Sequence, residues 1–575
     1  MPIHNSEIAD IFNKMADLLE IKGANRFRVG AYRNAARTIG EQSESVARML
    51  DEGKDLSELS GIGDDLAGKI ETIVKTGKLP MLEDLEKEVP PELSKLLDIK
   101  GMGPKRVHQL YEQLDIENID DLKEALENNK IRDLEGFGEK TEEDIREGLD
   151  WLEKEEQKRI KIAVAEEFAE SLREYLKNVE GVDKIEIAGS YRRRKQTVGD
   201  LDILVTCDDN EKVMKAFVNY DDVKKVLLQG DTKSTVMLKN NLQIDLRVVE
   251  PEQYGSALMY FTGSRDHNIA LRKRGQKRDL KINEYGVFNE DEERVAGETE
   301  EEIYDLLDLS YIEPELRENR GEIEAAENGN LPKLITLDDI RGDLHAHTKR
   351  TDGHYSLEEM IQAAVDRGYE YFAITDHSKS NTVANGFDKD RLQQEIEDIE
   401  KLRDQFDSIQ ILKGIELDIL EDGSLDLPDD ILEKLDVVVC SIHSKFGLSR
   451  DKQTERVIKA MDNPNFHIFG HPTGRLLQER EPYDIDMEKI MNAAKEKGCF
   501  LELNAHRDRL DLDDINCKMA KEKGVLVAIS TDAHSKANLD DMKLGIGQAR
   551  RGWLSPEDVL NTRSWEEVKK LLKRK

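Results

Sequence analysis

Two stretches of the chain concentrate side chains able to do chemistry. The first is GSYRRRKQTVGDLDILV, residues 189–205. Asp200 and Asp202 stand two apart on a predicted strand, so their carboxylates project from one face. A third, Asp245, lies in LQIDLRVV, a second predicted strand. Three carboxylates gathered this way repel one another unless cations compensate. Two Mg²⁺ ions would neutralise them and could hold a triphosphate for in-line attack by a hydroxyl. Asp-x-Asp alone equally describes acids on a wet strand edge. Gly189-Ser190 upstream and an acid on a second strand favour the metal site.

The second stretch is RGDLHAHTKRTDGHYS, residues 341–356, which begins a longer series. His345 and His347 follow a short apolar entry, and Asp352 comes next. His377 follows YFAIT, Glu416 ends ILKGIEL, His443 follows DVVVCSI, and His471 follows HIFG. Asp532 and His534 follow VLVAIST. Of 12 histidines, nine lie between 345 and 534, a clustering that a solvated surface does not produce. Imidazole with carboxylate suits Zn²⁺, Mn²⁺ or Fe²⁺. Two or three such ions, with Glu416 as the expected bridge, would deliver hydroxide to a phosphorus centre. A lone histidine at a strand end is usually structural; nine suitable residues at successive strand ends are not. Arg475 and Arg509 are candidates for holding the phosphate, although structural roles suit them nearly as well. His354, His467 and His506 fall outside the pattern.

The elements that must position these residues follow from periodicity. From 338 onward short apolar strands alternate with helical stretches, which predicts a distorted (β/α) barrel whose strand ends converge on one rim. Residues 156–255 read as a helix followed by the strands KIEIAG, LDILVTC, STVMLK and LQIDLRVVE, an α/β layer. Residues 256–318 form a smaller mixed unit, and the polar segment 319–337 reads as a linker.

Residues 1–155 read as all-helical, divided at about residue 84. One pattern recurs there: LSGIGDDLAGKI (59–70), IKGMGPKRVHQL (99–110) and LEGFGEKTEEDI (134–145). Each sets a hydrophobic residue and Gly-x-Gly (Gly61 and Gly63, Gly101 and Gly103, Gly136 and Gly138) before an amphipathic helix. Such a turn offers backbone N–H groups to a phosphate at a helix N-terminus. One copy would be an ordinary helix–helix turn; three resemble helix-hairpin-helix DNA-binding motifs. The second, followed by Lys105 and Arg106, matches best, whereas the first carries Asp64 and Asp65.

The middle of the chain resembles the polymerase beta group, family X, of the nucleotidyltransferases. YFTGSRDHN (260–268) and KINEYGVF (281–288) extend the likeness beyond the acids. The resemblance implies that Ser190 and Arg193, with Gly189 and Arg159, hold the incoming triphosphate. It implies that Tyr260, Phe261 and Gly263 line the sugar pocket, and that Asn268 and Arg272 face the base pair. Gln243 departs from it, because animal relatives carry Arg two residues before the third Asp. The first 84 residues resemble the family's domain for a gap's 5′ phosphate, through GAYRNAART and the first hairpin. Lys69 falls where relatives hold a Schiff-base lysine that removes 5′-deoxyribose phosphate. That chemistry needs a lowered lysine pKa, yet Asn34 and Asp65 replace family lysines here. The histidine series resembles a PHP domain, a metal-dependent phosphoesterase, which follows the polymerase core in bacterial and archaeal family X polymerases. Together the likenesses imply a gap-filling DNA polymerase acting on gapped duplex, primer-template and dNTPs. They imply a Mn²⁺-favouring 3′→5′ exonuclease acting on 3′ ends, with 3′-phosphatase or apurinic-site endonuclease as further activities.

Composition bounds the rest. A length of 575 residues predicts several domains. The net charge of −36 disfavours indiscriminate binding to phosphate backbones, so DNA contact must use local basic strips such as YRRRK and RKRGQKR. Apolar runs are too short to span a bilayer, and MPIHNSEIADIF is no secretory signal. Four scattered cysteines without C-x-x-C suit a reducing cytoplasm. A monomer is expected. Two rival readings are an untemplated nucleotidyltransferase fused to a small-molecule phosphatase, and a DNA-end scaffold with dead sites. The hairpins and YFTGS argue against the first, and the completeness of both ligand sets against the second.

Overall fold

A computed structural model describes residues 5–40, 46–59, 61–99, 102–134, 136–154 and 159–573. The chain divides into two compact units, residues 1–158 and 159–575.

The first unit is helical throughout its described residues. Its apolar periodicity closes into one core running from Ile8 and Phe12 through Ile70, Leu93 and Val107 to Ile145 and Leu149. The expected division near residue 84 is therefore not a division of the core. Gly61 and Gly136 take φ values of 75° and 83°, which a side chain would strain. The helices Asp64–Thr76, Pro104–Leu114 and Glu139–Lys154 start just past Gly63, Gly103 and Gly138. Gly101 lies outside the described residues.

In the second unit the α/β layer is a five-stranded sheet flanked by helices. A two-residue ladder joins β1 (Ile160–Lys161) to β3 (Thr197–Val198). The sheet itself comprises β2 (Val182–Ile187), β4 (Asp200–Cys207), β5 (Val223–Gln229), β6 (Lys233–Leu238) and β7 (Gln243–Val248), in the order β2-β4-β7-β6-β5. β4 and β7 are parallel; the other pairs are antiparallel. β5 was missed in the sequence because VKKVLLQ is an exposed edge strand with no buried face. A three-stranded meander follows: β8 (Lys281–Asn283), β9 (Gly286–Phe288) and β10 (Arg294–Ala296).

The segment 319–337, read as a polar linker, is folded and packed. It contains the helix Glu322–Glu327, and Glu322, Ile323, Ala326, Leu334 and Ile335 are buried. Its acids looked polar because Glu322 serves as an internal partner, accepting from His267 at 2.7 Å.

The last seven strands run parallel in sequence order: β11 (Gly342–Asp343), β12 (Tyr371–Ile374), β13 (Gln410–Asp418), β14 (Val437–Ser441), β15 (Ile468–Phe469), β16 (Phe500–Asn504) and β17 (Val527–Ser530). A parallel bridge between Ala346 and Ala533 joins the first strand's exit to the last strand's exit. This closes the rim of a distorted barrel, whose strands are buried as parallel packing requires, apart from Gln410 and Lys413 of β13.

Candidate active sites

In β4 exposure alternates, with Leu201 and Ile203 buried and Asp200 and Asp202 facing outward together. β7 lies beside it in register, pairing Asp202 with Asp245. Gly189, at φ 66°, approaches this pair so closely that a Cβ there would lie 3.0 Å from Asp202 Oδ2. Burial, then Asp200 and Asp245, push the Asp202 carboxyl up to about 7. Burial and Asp245 also raise Asp200, against the pull of Arg159. A group so unwilling to ionise alone fits a site whose counter-charge is a bound cation. Asp245 is flanked by Lys233 Nζ at 3.1 Å and Arg247 Nη2 at 3.9 Å. These supply positive charge where Gln243, at 3.4 Å, is neutral. Sequence reading missed Lys233 because it lies on another strand, 12 residues before Asp245.

The pocket residues gather around this face. Arg159 donates to the Thr197 side chain at 3.0 Å. Arg193 pairs with Glu318 at 3.0 Å and also donates to the Thr262 carbonyl. Ser190 lies in the short helix Gly189–Arg192. Tyr260 and Phe261 stand edge to face, 5.1 Å between centroids, under the guanidinium groups of Arg272 and Arg247 respectively. Asn268 turns its amide to the Tyr260 carbonyl at 2.7 Å and is largely buried, while its Oδ1 has no partner. It thus grips the Tyr260 turn rather than projecting outward.

In the first unit Lys69 pairs with Asp65 and lies 5.2 Å over the Tyr32 ring. Both line a cavity of about 390 Å³ with Arg28 and Met81. Partial burial works to lower the Lys69 pKa, but the hydrogen bonds to Asp65 and Tyr32 prevail and raise it. The lowering that Schiff-base chemistry needs is absent, because an acid stands beside the amine.

The barrel rim gathers all nine predicted ligands. Glu416 stands at their centre. Its Oε1 meets His443 Nε2 at 3.1 Å and His471 Nε2 at 2.8 Å. Its Oε2 meets His377 at 2.8 Å and both His345 and His347 at 3.5 Å. Asp352 reaches His377 at 3.2 Å and His534 at 3.5 Å. Asp532 reaches His347 at 3.0 Å. Three overlapping groups emerge: His345, His347, Glu416 and Asp532; His347, Asp352, His377 and His534; and His377, Glu416 and His443. Within each, ligand atoms lie within 4.8 Å of one another, a spacing reached among the described residues only here.

These residues fit divalent ions on the structure's own terms. Both ring nitrogens of His347 and Nε2 of His345 are buried without a hydrogen-bond partner. Burial, then His534 and His377, hold His347 down at about 3, which keeps it in the neutral ligating form. Glu416 is held far below the carboxylate range; burial opposes this, and His443 and His377 outweigh it. Outer partners orient the rings as ligating histidines require. Glu502 accepts from His345 Nδ1 at 2.7 Å, and Asp418 lies 3.2 Å from His443 Nδ1. Asp343 receives the Thr531 side chain and backbone N–H. Sequence reading missed Glu502, Asp418 and Asp343, although each sits on a barrel strand within two residues of an apolar run.

Arg509 lies 3.4 Å from Asp532, and its buried Nη1 has no hydrogen-bond partner. Arg475 is buried, and its Nε and Nη2 donate to the carbonyls of Arg509 and Leu510, so it braces the loop that carries Arg509. His467, outside the ligand pattern, accepts from the Val438 N–H at 3.0 Å.

Family models match in the same order along the chain. A helix-hairpin-helix domain covers 3–79 and a SAM-like helix-hairpin-helix tandem 93–150. The DNA polymerase beta palm covers 159–266, the DNA polymerase beta thumb 257–318, and the PHP domain 343–506. The DNA polymerase/3′-5′ exonuclease PolX of Bacillus subtilis is 39% identical over 575 residues, the full length of both chains. The chain belongs to the family X DNA polymerases that carry a C-terminal PHP domain. A Thermoanaerobacter protein named as a probable phosphatase is 32% identical over 244 residues, covering 40% of this chain and 94% of its own. A protein so named from Caldanaerobacter subterraneus matches at 32% over 244 residues, or 91% of its length. Asp532 and His534 lie beyond the PHP match, yet the fold returns them to the site. No helix among the described residues is long and apolar enough to cross a membrane.

Proposed function

We propose that the chain is a DNA-directed DNA polymerase that fills short gaps during base excision repair or end processing, and that its PHP domain is a metal-dependent 3′→5′ exonuclease. The observation that supports this best is the presence on one chain of two separate cation-demanding sites. One is the register-matched pair Asp202 and Asp245; the other is the histidine ring around Glu416. We assign Mg²⁺ to the palm and two or three Mn²⁺ or Zn²⁺ ions to the barrel, following the ligand types. Bound divalent ions supply charge neutralisation and a nucleophile available at neutral pH.

The chain's own residues do the rest. Asp200, Asp202 and Asp245 offer one carboxylate face on which a primer 3′ end and a dNTP triphosphate are aligned. Lys233 keeps Asp245 company as a cation. Arg159, Ser190 and Arg193 carry the triphosphate, and Tyr260 and Phe261 pack on the sugar. In the barrel Glu416 spans two ligand groups, while Arg509 has a buried N–H to offer a scissile phosphate. The helix-hairpin-helix turns at Gly61, Gly103 and Gly136, with Lys105 and Arg106, grip the duplex backbone. We take the working form as a cytoplasmic monomer.

The phosphatase relatives favour a second activity at the same barrel site, removal of a 3′ phosphate, with apurinic-site incision alongside it. Lyase chemistry at Lys69 is disfavoured by its raised pKa. Activity on a gapped duplex, with Mg²⁺ or Mn²⁺ and with or without dNTPs, tests the assignment. Template-dependent extension is expected with dNTPs, and 3′ shortening without them. Extension that ignores the template would defeat it.

A further inference from the structure

The PHP domain reaches into the nucleotide site of the palm. Its helix Met542–Arg551 ends at Arg551, which is buried although it carries a full charge. Arg551 Nη1 donates to the Arg193 carbonyl at 2.7 Å and to Glu318 Oε1 at 3.0 Å. That same Glu318 oxygen accepts from Arg193 Nε at 3.0 Å. On its other side Arg551 Nη2 donates to Asp514 at 2.7 Å, and Asp514 also accepts from Arg320 at 2.8 Å. Arg551 therefore touches Arg193 twice, once at its backbone and once through a shared carboxylate.

The charges explain why this matters. Arg159 and Arg551 act electrostatically on both Arg193 and Lys195, and Glu318 accepts hydrogen bonds from Arg193 and Arg551. Lys195 is half-buried, and among the described residues no carboxylate lies within ion-pair distance of it. Such a pocket suits an anion. It also needs its guanidinium groups held apart, because like charges at this spacing repel. Arg551 braces Arg193: it fixes the carbonyl of the turn that bears the side chain, and it shares with Arg193 the single Glu318 oxygen Oε1, whose negative charge lies between the two guanidinium groups. Bidentate capture of Arg193 by Glu318 would be the stronger pairing and would withdraw it from a ligand.

We infer that Arg551 of the PHP domain is a positioning residue for the polymerase reaction, acting through Glu318 and Arg193 on the triphosphate of the incoming dNTP. This rests on the reading of Arg193 as a triphosphate-binding residue.

The test is steady-state gap filling by the full chain, with variants Arg193→Gln, Arg551→Gln and their combination. Arg193→Gln is expected to raise the KM for dNTP about tenfold or more. Arg551→Gln is expected to raise it about fivefold with kcat within about twofold, and 3′→5′ exonuclease activity unchanged. In the double variant KM should match that of Arg193→Gln alone, because a residue acting through another is non-additive with it. A normal KM for Arg193→Gln would overturn the reading of Arg193 itself. A raised KM for Arg193→Gln with a normal one for Arg551→Gln, or a multiplicative double variant, would overturn the present inference. Should Arg551→Gln lose its exonuclease through misfolding, Glu318→Gln replaces it in the same cycle. It too must change KM in the wild-type background and leave it unchanged beside Arg193→Gln.

Discussion

Asp202 and Asp245 sit opposite each other on adjacent parallel strands, paired Cα to Cα, with Asp200 two residues along the same face. Lys233 and Arg247 flank Asp245, and Gly189 lies against Asp202. Asp202→Asn should lower primer extension by about a thousandfold or more, since it removes a ligand from a two-ion site. It should leave 3′→5′ degradation in Mn²⁺ intact. In chelator the same variant should be slightly more thermostable than wild type, because a carboxyl pushed up to about 7 is destabilised when ionised. Lower stability in chelator would contradict this picture of mutual repulsion.

His347 belongs to two of the three ligand groups, and neither of its ring nitrogens has a hydrogen-bond partner. His347→Ala should therefore empty more than one position. Metal analysis after exhaustive dialysis should show at least one fewer divalent ion bound per chain, with nuclease activity reduced about a hundredfold or more. Polymerisation should persist. Loss of both activities from this single change would mean that the two sites are not separate.

Much of this site was legible because its ligands follow apolar strands, and parallel strands must end on one rim. His345, Glu416 and Asp532 were found by that logic although 187 residues separate the first from the last. The same logic found Asp200, Asp202 and Asp245 from period-two alternation. It could not find Lys233, whose only mark is a register pairing with Arg247 across β6 and β7. It missed Glu502 and Asp418 because a buried acid inside an apolar strand looks like an interruption until its histidine partner is known. It could not see that 319–337 is packed, because composition does not distinguish a solvated glutamate from Glu322, which is wholly buried against His267. The bracing role of Arg475 was equally hidden, because bonds to backbone carbonyls leave no trace in sequence.

Arg509 and Arg475 should separate cleanly. Arg509 has a buried N–H without a hydrogen-bond partner beside Asp532, whereas Arg475 only braces the loop that carries Arg509. Arg509→Ala should reduce nuclease activity by about tenfold to a hundredfold with little change in melting temperature. Arg475→Ala should destabilise the protein by about 1–3 kcal/mol, because buried carbonyls lose their donor. Melting curves and initial rates on the two variants decide it. Equal effects on rate and stability in both would erase the distinction.

Glu300 offers a test by pH. Its carboxylate is buried between Arg192, at 2.7 Å, and Arg317, with Tyr311 donating at 3.1 Å. Burial works to raise its pKa, but the Arg317 and Arg192 charges prevail and hold it at about 2 against an ordinary 4.5. A depressed carboxylate stabilises the fold fully above its unfolded value, and that contribution fades as pH falls toward the folded value. The window is therefore about pH 4.5 down to 2. Across it the contribution of roughly 3 kcal/mol disappears. Glu300→Gln should be markedly less stable than wild type at pH 7, since Arg317 is left buried without its partner. The gap should be about 2 kcal/mol smaller at pH 3 than at pH 6, because protonated Glu300 then resembles glutamine. Thermal melts of both proteins across that range measure it. A gap constant from pH 6 to 3 would show that the Arg192–Glu300–Arg317 cluster does not hold the carboxylate charged.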